Sequence, residues 1–381
     1  MDRVLVAHPS ADVYGSDRQL VESIAAVRAA GARVIVYLPA GGPLEPLLRD
    51  CTVRIMSFPV LRKALLTPRA LMRLVVTTPL DLYRLVRTIR ATSPDAVYVN
   101  TLTIPLWIVA ARLTRTPVLV HVHEAEQDAP WLLRFLLALP LVLGTVVLAN
   151  SNASRRVLST ALGRATPEIH VVTNGIPDAG ADGYDAAEPG RLAVIGRLSP
   201  RKGIDVALEA VALLRADGRD VRLDVAGSAF PGYEWYEAQL RQRAERPDLA
   251  GRVRFLGYVH PTSQVLADAC AVLVPSRTEP FGNTAVEALL AQRPVIASEV
   301  QGLAEIVHDG QTGLLVPPDD PRALATAAAR VLDDTRWAAR LAAAGRVDAR
   351  ERFGTERYQA EIVQAVTETA RRRRADLKRL S

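Results

Sequence analysis

The stretch Pro275-Ser276-Arg277-Thr278-Glu279-Pro280-Phe281-Gly282-Asn283-Thr284-Ala285-Val286-Glu287 decides how the chain is read. Before it, Ala271–Pro275 is an apolar run of strand length, and Thr284–Ala291 has the spacing of a helix. A second apolar run, Val295–Ala297, follows at once. A strand, a loop and a helix leading to another strand form a βαβ unit, and such units build parallel sheets. Within the loop, Gly282 lets a ligand come close to the backbone. The free N–H groups of the helix start suit phosphate or sugar oxygens. Glu279 is a candidate acceptor of hydrogen bonds from hydroxyl groups. Glu287 is either a second such acceptor or, with Thr284, one half of a capping box that merely closes the helix start.

The same alternation extends in both directions. Leu192–Ile195, Val221–Ala226, Val253–Val259 and Gly313–Val316 read as further strands. Arg201–Ala216, Tyr236–Glu245, Pro321–Asp333 and Arg336–Ala344 read as helices. Ile176 to Gly190 is rich in Gly, Pro, Asp and Ala and reads as a linker. Before it the pattern recurs, with strands expected at Val4–Ala7, Val34–Leu38, Val53–Phe58, Ala96–Asn100, Val118–Val122, Val146–Ala149 and Ile169–Thr173. Helices are expected at Asp17–Ala30 and Leu80–Ala91. The chain of 381 residues is long enough for two doubly wound α/β domains of about 190 residues each. They are expected at 1–175 and 191–354, with 176–190 between them.

Composition agrees: 49% of residues are apolar and only 5% aromatic, as suits sheets of continuous Val/Leu/Ile strands. The two cysteines, Cys51 and Cys270, sit in apolar surroundings and suggest a reducing cytosol without a disulfide framework. Val4–Ala7 is too short for the core of a secretion signal. Trp131–Ala149 approaches membrane-spanning length, but Pro140 and Gly144 divide it into a helix and a strand. The formal charge of +6 is unevenly spread. Arg54, Arg62, Lys63, Arg69 and Arg73 stand without an acidic neighbour, Arg84, Arg87 and Arg90 follow, and Arg371–Arg374 with Lys378 and Arg379 close the chain. Such clusters suit anionic lipid or a phosphorylated ligand, or are simply solvated. No aromatic-interleaved basic patch or zinc-ligand spacing occurs, which disfavours nucleic acid.

Two further absences narrow the chemistry. There is no G-x-G-x-x-G, so a dinucleotide site lacks its fingerprint. There is no Asp-x-Asp either, so no metal ion and no cofactor is expected. In Val194-Ile195-Gly196-Arg197-Leu198-Ser199-Pro200-Arg201-Lys202-Gly203, a strand ends at Gly196, Arg197 follows at once, and Lys202 stands before a helix. Fixed cations of this kind stabilise a phosphate leaving group when no metal does so. The ordinary reading of the same residues is a basic surface loop.

Together these motifs resemble family-4 retaining glycosyltransferases. The resemblance rests on Gly196-Arg197 with Lys202-Gly203, on Glu279 and Glu287 with Phe281-Gly282 between them, and on Pro294-Val295-Ile296-Ala297. Val171-Val172-Thr173-Asn174-Gly175-Ile176 and Gly310-x-x-Gly313-Leu314-Leu315-Val316-Pro317 complete it, in the family's order and across nearly the whole chain. It implies a GT-B fold, two Rossmann-like domains facing across a cleft, with a C-terminal helix at about 355–381 returning to the N-terminal domain. It implies a nucleoside-diphosphate sugar donor, with a UDP, GDP or dTDP base, whose diphosphate is held by Arg197 and Lys202. Glu279 would hold the sugar hydroxyls and Glu287 the ribose. Gly196, Gly227 and the backbone of Phe281, Gly282, Asn283 and Thr284 would add donor contacts, and Tyr258 and Val259 would flank the base.

In the N-terminal domain the family's glycine-rich loop is replaced by Tyr14-Gly15-Ser16-Asp17-Arg18. Gly15 and Ser16 are expected to offer N–H groups to the diphosphate, and Asp17 and Arg18 to meet the acceptor. His121 and His123 share one face of a strand. His123, at its carboxyl tip, is the better match to the family's catalytic-site histidine, and His121 is grouped with the acceptor contacts. The acceptor is expected on a polyprenyl-diphosphate lipid at an anionic membrane surface, for a cytoplasmic protein peripheral to the plasma membrane. A soluble acceptor such as a natural product or inositol phosphate is the rival. Two readings from different classes compete with transfer itself: a UDP-sugar 2-epimerase of the same fold, and a non-catalytic sugar-binding protein.

Overall fold

The computed structural model describes residues 1–61, 68–124, 130–178, 180, 184, 187–230 and 232–380, with only the backbone of 68–71, 73–75 and 373–380. Arg62 and Lys63 therefore lie outside the described residues, as do the side chains of Arg69, Arg73, Arg373, Arg374, Lys378 and Arg379 and much of the expected linker. The chain forms two compact units, Met1–Gly175 with Thr355–Ser381, and Ile176–Gly354.

The first unit holds a seven-stranded sheet of β1 (Arg3–Ala7), β2 (Arg33–Leu38), β3 (Thr52–Ile55), β4 (Ala96–Val99), β5 (Val118–Val122), β6 (Val146–Ala149) and β7 (Ile169–Val171). Their order is β3-β2-β1-β4-β5-β6-β7, and every pairing is parallel. All residues of β4, β5 and β6 are buried, because helices cover both faces of a parallel sheet. On one face the helix Gly15–Ala29 buries Leu20, Ile24 and Val27 at helical spacing. The last helix, Thr355–Leu380, packs Tyr358, Ile362, Ala365 and Val366 into the same cluster. On the other face the cluster is built around Trp107, Leu85, Ile89 and Leu141.

The second unit holds β8 (Arg191–Ile195), β9 (Arg222–Ala226), β10 (Val253–Gly257), β11 (Ala271–Val274), β12 (Val295–Ser298) and β13 (Leu314–Val316). Their order is β10-β9-β8-β11-β12-β13, again all parallel.

Several expectations need adjusting: the helix read as Arg336–Ala344 runs from Thr335 to Phe353, and the strand read as Val53–Phe58 is Thr52–Ile55. The helix read as Leu80–Ala91 begins at Pro68 and runs through Pro79 to Thr92. Pro79 is on the exposed side, where water replaces the hydrogen bond that its ring removes. The helix read as starting at Arg201 starts at Ile204, because Pro200–Lys202 is a single 3₁₀ turn ended by Gly203. The expected linker is partly core: Ile176 and Tyr184 are buried in the second unit, and the N–H of Ile176 bonds the Phe353 carbonyl at 2.9 Å. Trp131–Ala149 is a helix (Trp131–Ala138), a 3₁₀ turn and β6. No helix among the described residues is long and apolar enough to cross a membrane.

Candidate active site

In each sheet the strand order turns back between two neighbours, β1 and β4 in one, β8 and β11 in the other. Loops leaving the carboxyl ends of such neighbours diverge and open a crevice where ligands bind. In the second unit those loops are Gly196–Gly203 and Pro275–Gly282, the two stretches that the sequence marks.

The loops are tied together. The N–H of Arg277 bonds the Arg201 carbonyl at 2.8 Å. The Arg277 guanidinium donates to both carboxylate oxygens of Asp205, at 3.0 and 2.7 Å, and reaches Asp319 at 2.6 Å. Sequence reasoning misses this clamp, which carries no local signature. At Gly203 the backbone takes φ of 63°, and a Cβ there would lie 1.9 Å from the Pro275 carbonyl oxygen. Only glycine permits that approach.

The clamp brings Lys202 and Glu279 together. Lys202 Nζ donates to Glu279 Oε2 at 2.5 Å, Ser276 Oγ donates to the same oxygen at 3.3 Å, and Arg201 lies 3.8 Å from Oε1. The Glu279 N–H donates to Gln301 Oε1 at 2.9 Å, which holds the loop. Arg197 lies over the Phe230 ring, 4.7 Å from its centroid. Burial raises the Glu279 pKa, but the Lys202 and Arg201 charges outweigh it and hold the carboxyl below its ordinary value. Burial also lowers the Lys202 pKa, and despite the opposing pull of Glu279 the charges of Arg201 and Arg197 help keep it low. Both directions have one cause: Lys202 and Arg201 converge on the Glu279 carboxylate, and Arg197 adds its charge beside Lys202.

The helix after this loop is Asn283–Leu290, and its N-cap is Gly282, with no side-chain cap. The capping-box reading of Glu287 is therefore overturned. Thr284 Oγ1 donates instead to the Ile195 carbonyl at 3.3 Å, and Glu287 accepts from Thr262 Oγ1 at 3.3 Å. Phe281 is buried edge-on against Phe353, so its side chain serves the core and its backbone faces the loop. A Cβ on Gly282 would meet Leu303 at 2.6 Å, so this glycine is required for packing from behind. Gly227 follows β9 beside Gly196, bonding the Gly257 carbonyl at 2.7 Å. Tyr258, next in the chain, is exposed and Val259 is half-buried.

In the first unit, His8 and Asn100 directly follow β1 and β4, and β5 ends in His121 and Val122, with His123 next. His123 Nε2 meets Asn100 Oδ1 at 3.0 Å, Asn100 Nδ2 meets His8 Nδ1 at 3.1 Å, and His8 Nε2 meets Asp17 Oδ1 at 2.7 Å. Asp17 also accepts from Ser10 Oγ at 2.6 Å and from the Tyr14 N–H at 2.8 Å. Asp17 and His121, expected among the acceptor contacts, are thus buried side chains with partners inside the unit. His121 Nδ1 pairs with the Tyr98 hydroxyl at 2.9 Å, and its ring lies tilted at 41° against that of His123, centroids 4.1 Å apart. Burial holds His123 neutral, with its pKa lowered to about 3, and lowers that of His121 well below the ordinary value, with the His123 ring adding to the effect. The outer Nδ1 of His123 and Nε2 of His121 are buried without a hydrogen-bond partner among the described residues. Gly15 and Ser16 form the first turn of the helix Gly15–Ala29, and Arg18 follows in it. His8 and Asn100 give no sequence signal because each is a single polar residue after a strand, and only the sheet order makes them neighbours.

The chain is similar to known proteins. The family model described as glycosyl transferase 4-like domain matches residues 15–175, and that described as glycosyl transferases group 1 matches residues 189–334. A glycogen synthase from Mycobacterium tuberculosis is 33% identical over 278 residues, 68% of this chain and 64% of that protein. A D-inositol 3-phosphate glycosyltransferase from Nocardioides is 39% identical over 171 residues, 42% of this chain and 37% of that protein. The match thus spans less than two thirds of the length of these curated relatives. The crystal structure of Anabaena HepE in complex with UDP-glucose has a TM-score of 0.81 at 25% identity, covering 96% of this chain and 99% of that one. Two parallel α/β sheets of this kind, each with its crevice at a switch point, are the GT-B fold, and the chain matched in succession by both models belongs to the group 1, family-4-like glycosyltransferases.

Proposed function

We propose that the protein moves a sugar from a nucleoside-diphosphate donor to an acceptor hydroxyl with retention at the anomeric carbon. The observation that carries this is the convergence of Arg201 and Lys202 on the Glu279 carboxylate, with Arg197 near enough to act on Lys202. A diphosphate supplies further negative charge, and its charge grows as the glycosidic bond breaks. Cations already in place stabilise that transition state without reorganisation. The bond from the anomeric carbon to the diphosphate oxygen breaks, the bond to the acceptor oxygen forms on the same face, and the acceptor proton passes to the leaving phosphate. Glu279 holds the sugar hydroxyls, Glu287 the ribose, and Tyr258 and Val259 flank the base. Gly15 and Ser16 offer N–H groups to the diphosphate, and His123 accepts from a substrate hydroxyl. HepE, crystallised with UDP-glucose, supports a uridine donor.

Thermal unfolding with UDP-, GDP- and dTDP-sugars tests this. The cognate donor at about 100 times its Kd is expected to add about 2.7 kcal/mol, in EDTA as well as without it. No stabilisation by any of the three would overturn the donor reading, and its loss in EDTA would overturn metal independence. Raising the pH toward the lowered Lys202 pKa should weaken donor binding, because deprotonation removes a cation from the diphosphate.

The acceptor we propose is carried on a polyprenyl-diphosphate lipid, in cell-envelope glycan assembly, with the protein in the cytoplasm at the inner face of the plasma membrane. The support is an exposed apolar stripe on the helix Pro68–Thr92, Met72, Val76, Leu80 and Tyr83, with Arg84 and Arg87 exposed beyond it. Exposed Trp131, Leu132 and Leu136 extend the apolar surface of this unit. Such a helix lies at an anionic interface. The similarity to an inositol phosphate glycosyltransferase favours a second reading, a soluble acceptor. The protein is expected to float with anionic vesicles, and the triple variant Met72→Ser, Val76→Ser, Leu80→Ser to remain behind. If the unaltered protein stays behind as well, the soluble acceptor is the better reading.

A further inference from the structure

Asp17, His8, Asn100 and His123 form one unbroken chain of hydrogen bonds from the first helix to the carboxyl tip of β5. Its direction follows from its inner end. The Asp17 carboxylate only accepts, so His8 Nε2 carries the proton in the 2.7 Å contact between them. The Asn100 NH2 group faces His8 Nδ1 at 3.1 Å, and an amide NH2 only donates, so this Nδ1 accepts. That leaves Asn100 Oδ1 facing His123, so His123 carries its proton on Nε2. Its Nδ1, buried and without a partner among the described residues, keeps a lone pair.

We infer that Asp17 is a positioning residue which, through His8 and Asn100, fixes His123 in the Nε2–H tautomer so that Nδ1 accepts a hydrogen bond from a substrate hydroxyl. The second half rests on the transferase reading above; the first does not. Ser10 Oγ and the Tyr14 N–H, both donors to Asp17, hold the carboxylate in place. Tyr98 and Ser23 bond on the other side of His121. Among the described residues they reach His123 through the tilted His121 ring, which makes no hydrogen bond to it, so they do not set its tautomer.

Asp17→Asn tests the inference, because it keeps the shape and reverses the polarity. The backbone N–H of Tyr14 retains the oxygen of the new amide, so the NH2 group faces His8 Nε2. His8 then carries its proton on Nδ1, Asn100 flips, and His123 is protonated on Nδ1. Proton–nitrogen long-range correlation spectra of the ligand-free protein read this directly, with His123→Gln identifying the signal. The unaltered protein is expected to show an unprotonated Nδ1 and a protonated Nε2 on His123, and Asp17→Asn the reverse. Its kcat/KM is expected to fall about 10- to 100-fold, since a donor then meets a donor. Ser10→Ala, which removes a bond without changing direction, should leave the tautomer unchanged. Asn100→Ala cuts the chain and should give a mixture of tautomers, which keeps the test open if Asp17→Asn does not fold. An Nδ1–H tautomer in the unaltered protein, or an unchanged tautomer in both variants, would overturn the positioning role. An inverted tautomer with unchanged kcat/KM would overturn only the contact with substrate. Failure of the transferase reading itself appears separately, as no transfer by the unaltered protein with its tautomer as stated.

Discussion

Glu279→Ala is expected to lower the rate of sugar transfer by about 100- to 1,000-fold, the cost of removing one preorganised electrostatic group. The same substitution leaves Lys202 facing Arg201 and Arg197 with no carboxylate. Breaking a fully buried pair costs about 3–5 kcal/mol, and less for this part-buried one, so the variant should also unfold at a lower temperature. Glu279→Gln separates the two effects. Its amide oxygen still accepts from Lys202, so most of the stability should return while transfer stays low. The acid dependence has a definite sign. Because Glu279 is held below its ordinary value of 4.5, its stabilisation is present above that pH and is lost as pH falls through the folded-state value. Initial rates with the cognate donor, read beside thermal unfolding at neutral and acid pH, check both. Turnover of Glu279→Ala near that of the unaltered protein would end the assignment of this site.

Gly203→Ala should have the largest effect on stability. Placing a side chain at φ of 63° costs about 1–2 kcal/mol. The added carbon would also overlap the Pro275 carbonyl oxygen, 1.9 Å away, and neither side of that contact is a flexible side chain. Gly218 is the control, with φ of 82° and open space around it, so Gly218→Ala isolates the conformational cost. A loss of about 3 kcal/mol in a unit of this size lowers the melting temperature by about 6–12 °C. Pushing Gly203 away from Pro275 also moves Lys202 away from Glu279, so affinity for the donor nucleotide should fall with the stability. A Gly203→Ala protein as stable as Gly218→Ala, binding UDP normally, would show that the two loops are not coupled through this contact.

Much of the fold is legible in the sequence because parallel strands are buried on both faces and read as unbroken apolar runs. Strands β5, β6 and β8 lie within a residue of their apolar runs for that reason. Helices Pro105–Leu113 and Asn152–Leu162 are invisible to the periodicity for opposite reasons. The first is apolar nearly all round, and the second opens with several small polar residues. At the site, Arg197, Lys202 and Glu279 stand in recognisable loops, but nothing local says that Lys202 and Glu279 touch. The clamp made by Arg277 does that, and one arginine in a loop is not a signal. Thr284 and Glu287 have capping-box spacing, yet the N-cap lies two residues earlier, at Gly282, a difference that spacing cannot detect. Asp17 reads as the first residue of a helix and an acceptor contact, because nothing local pairs it with His8 nine residues earlier, and Asn100 joins them only because β4 lies beside β1.

The last helix gives the first unit a history as well as a shape. Tyr358 is buried against Ser23 and Gln19, with its hydroxyl 2.7 Å from Ser23 Oγ, and its Cβ occupies the space that a Cβ on Gly175 would need. On a ribosome, the strands and helices before Gly175 emerge first, while the helix from Thr355 waits for about 180 further residues, some 10–35 s of synthesis at about 5–20 residues per second. During that interval the groove meant for Tyr358, Ile362 and Val366 is open to water and to other nascent chains. The second unit is continuous in sequence and owes nothing to that wait. The order of completion in the cell is therefore the reverse of the order of synthesis: the later unit closes first, and the earlier one closes last.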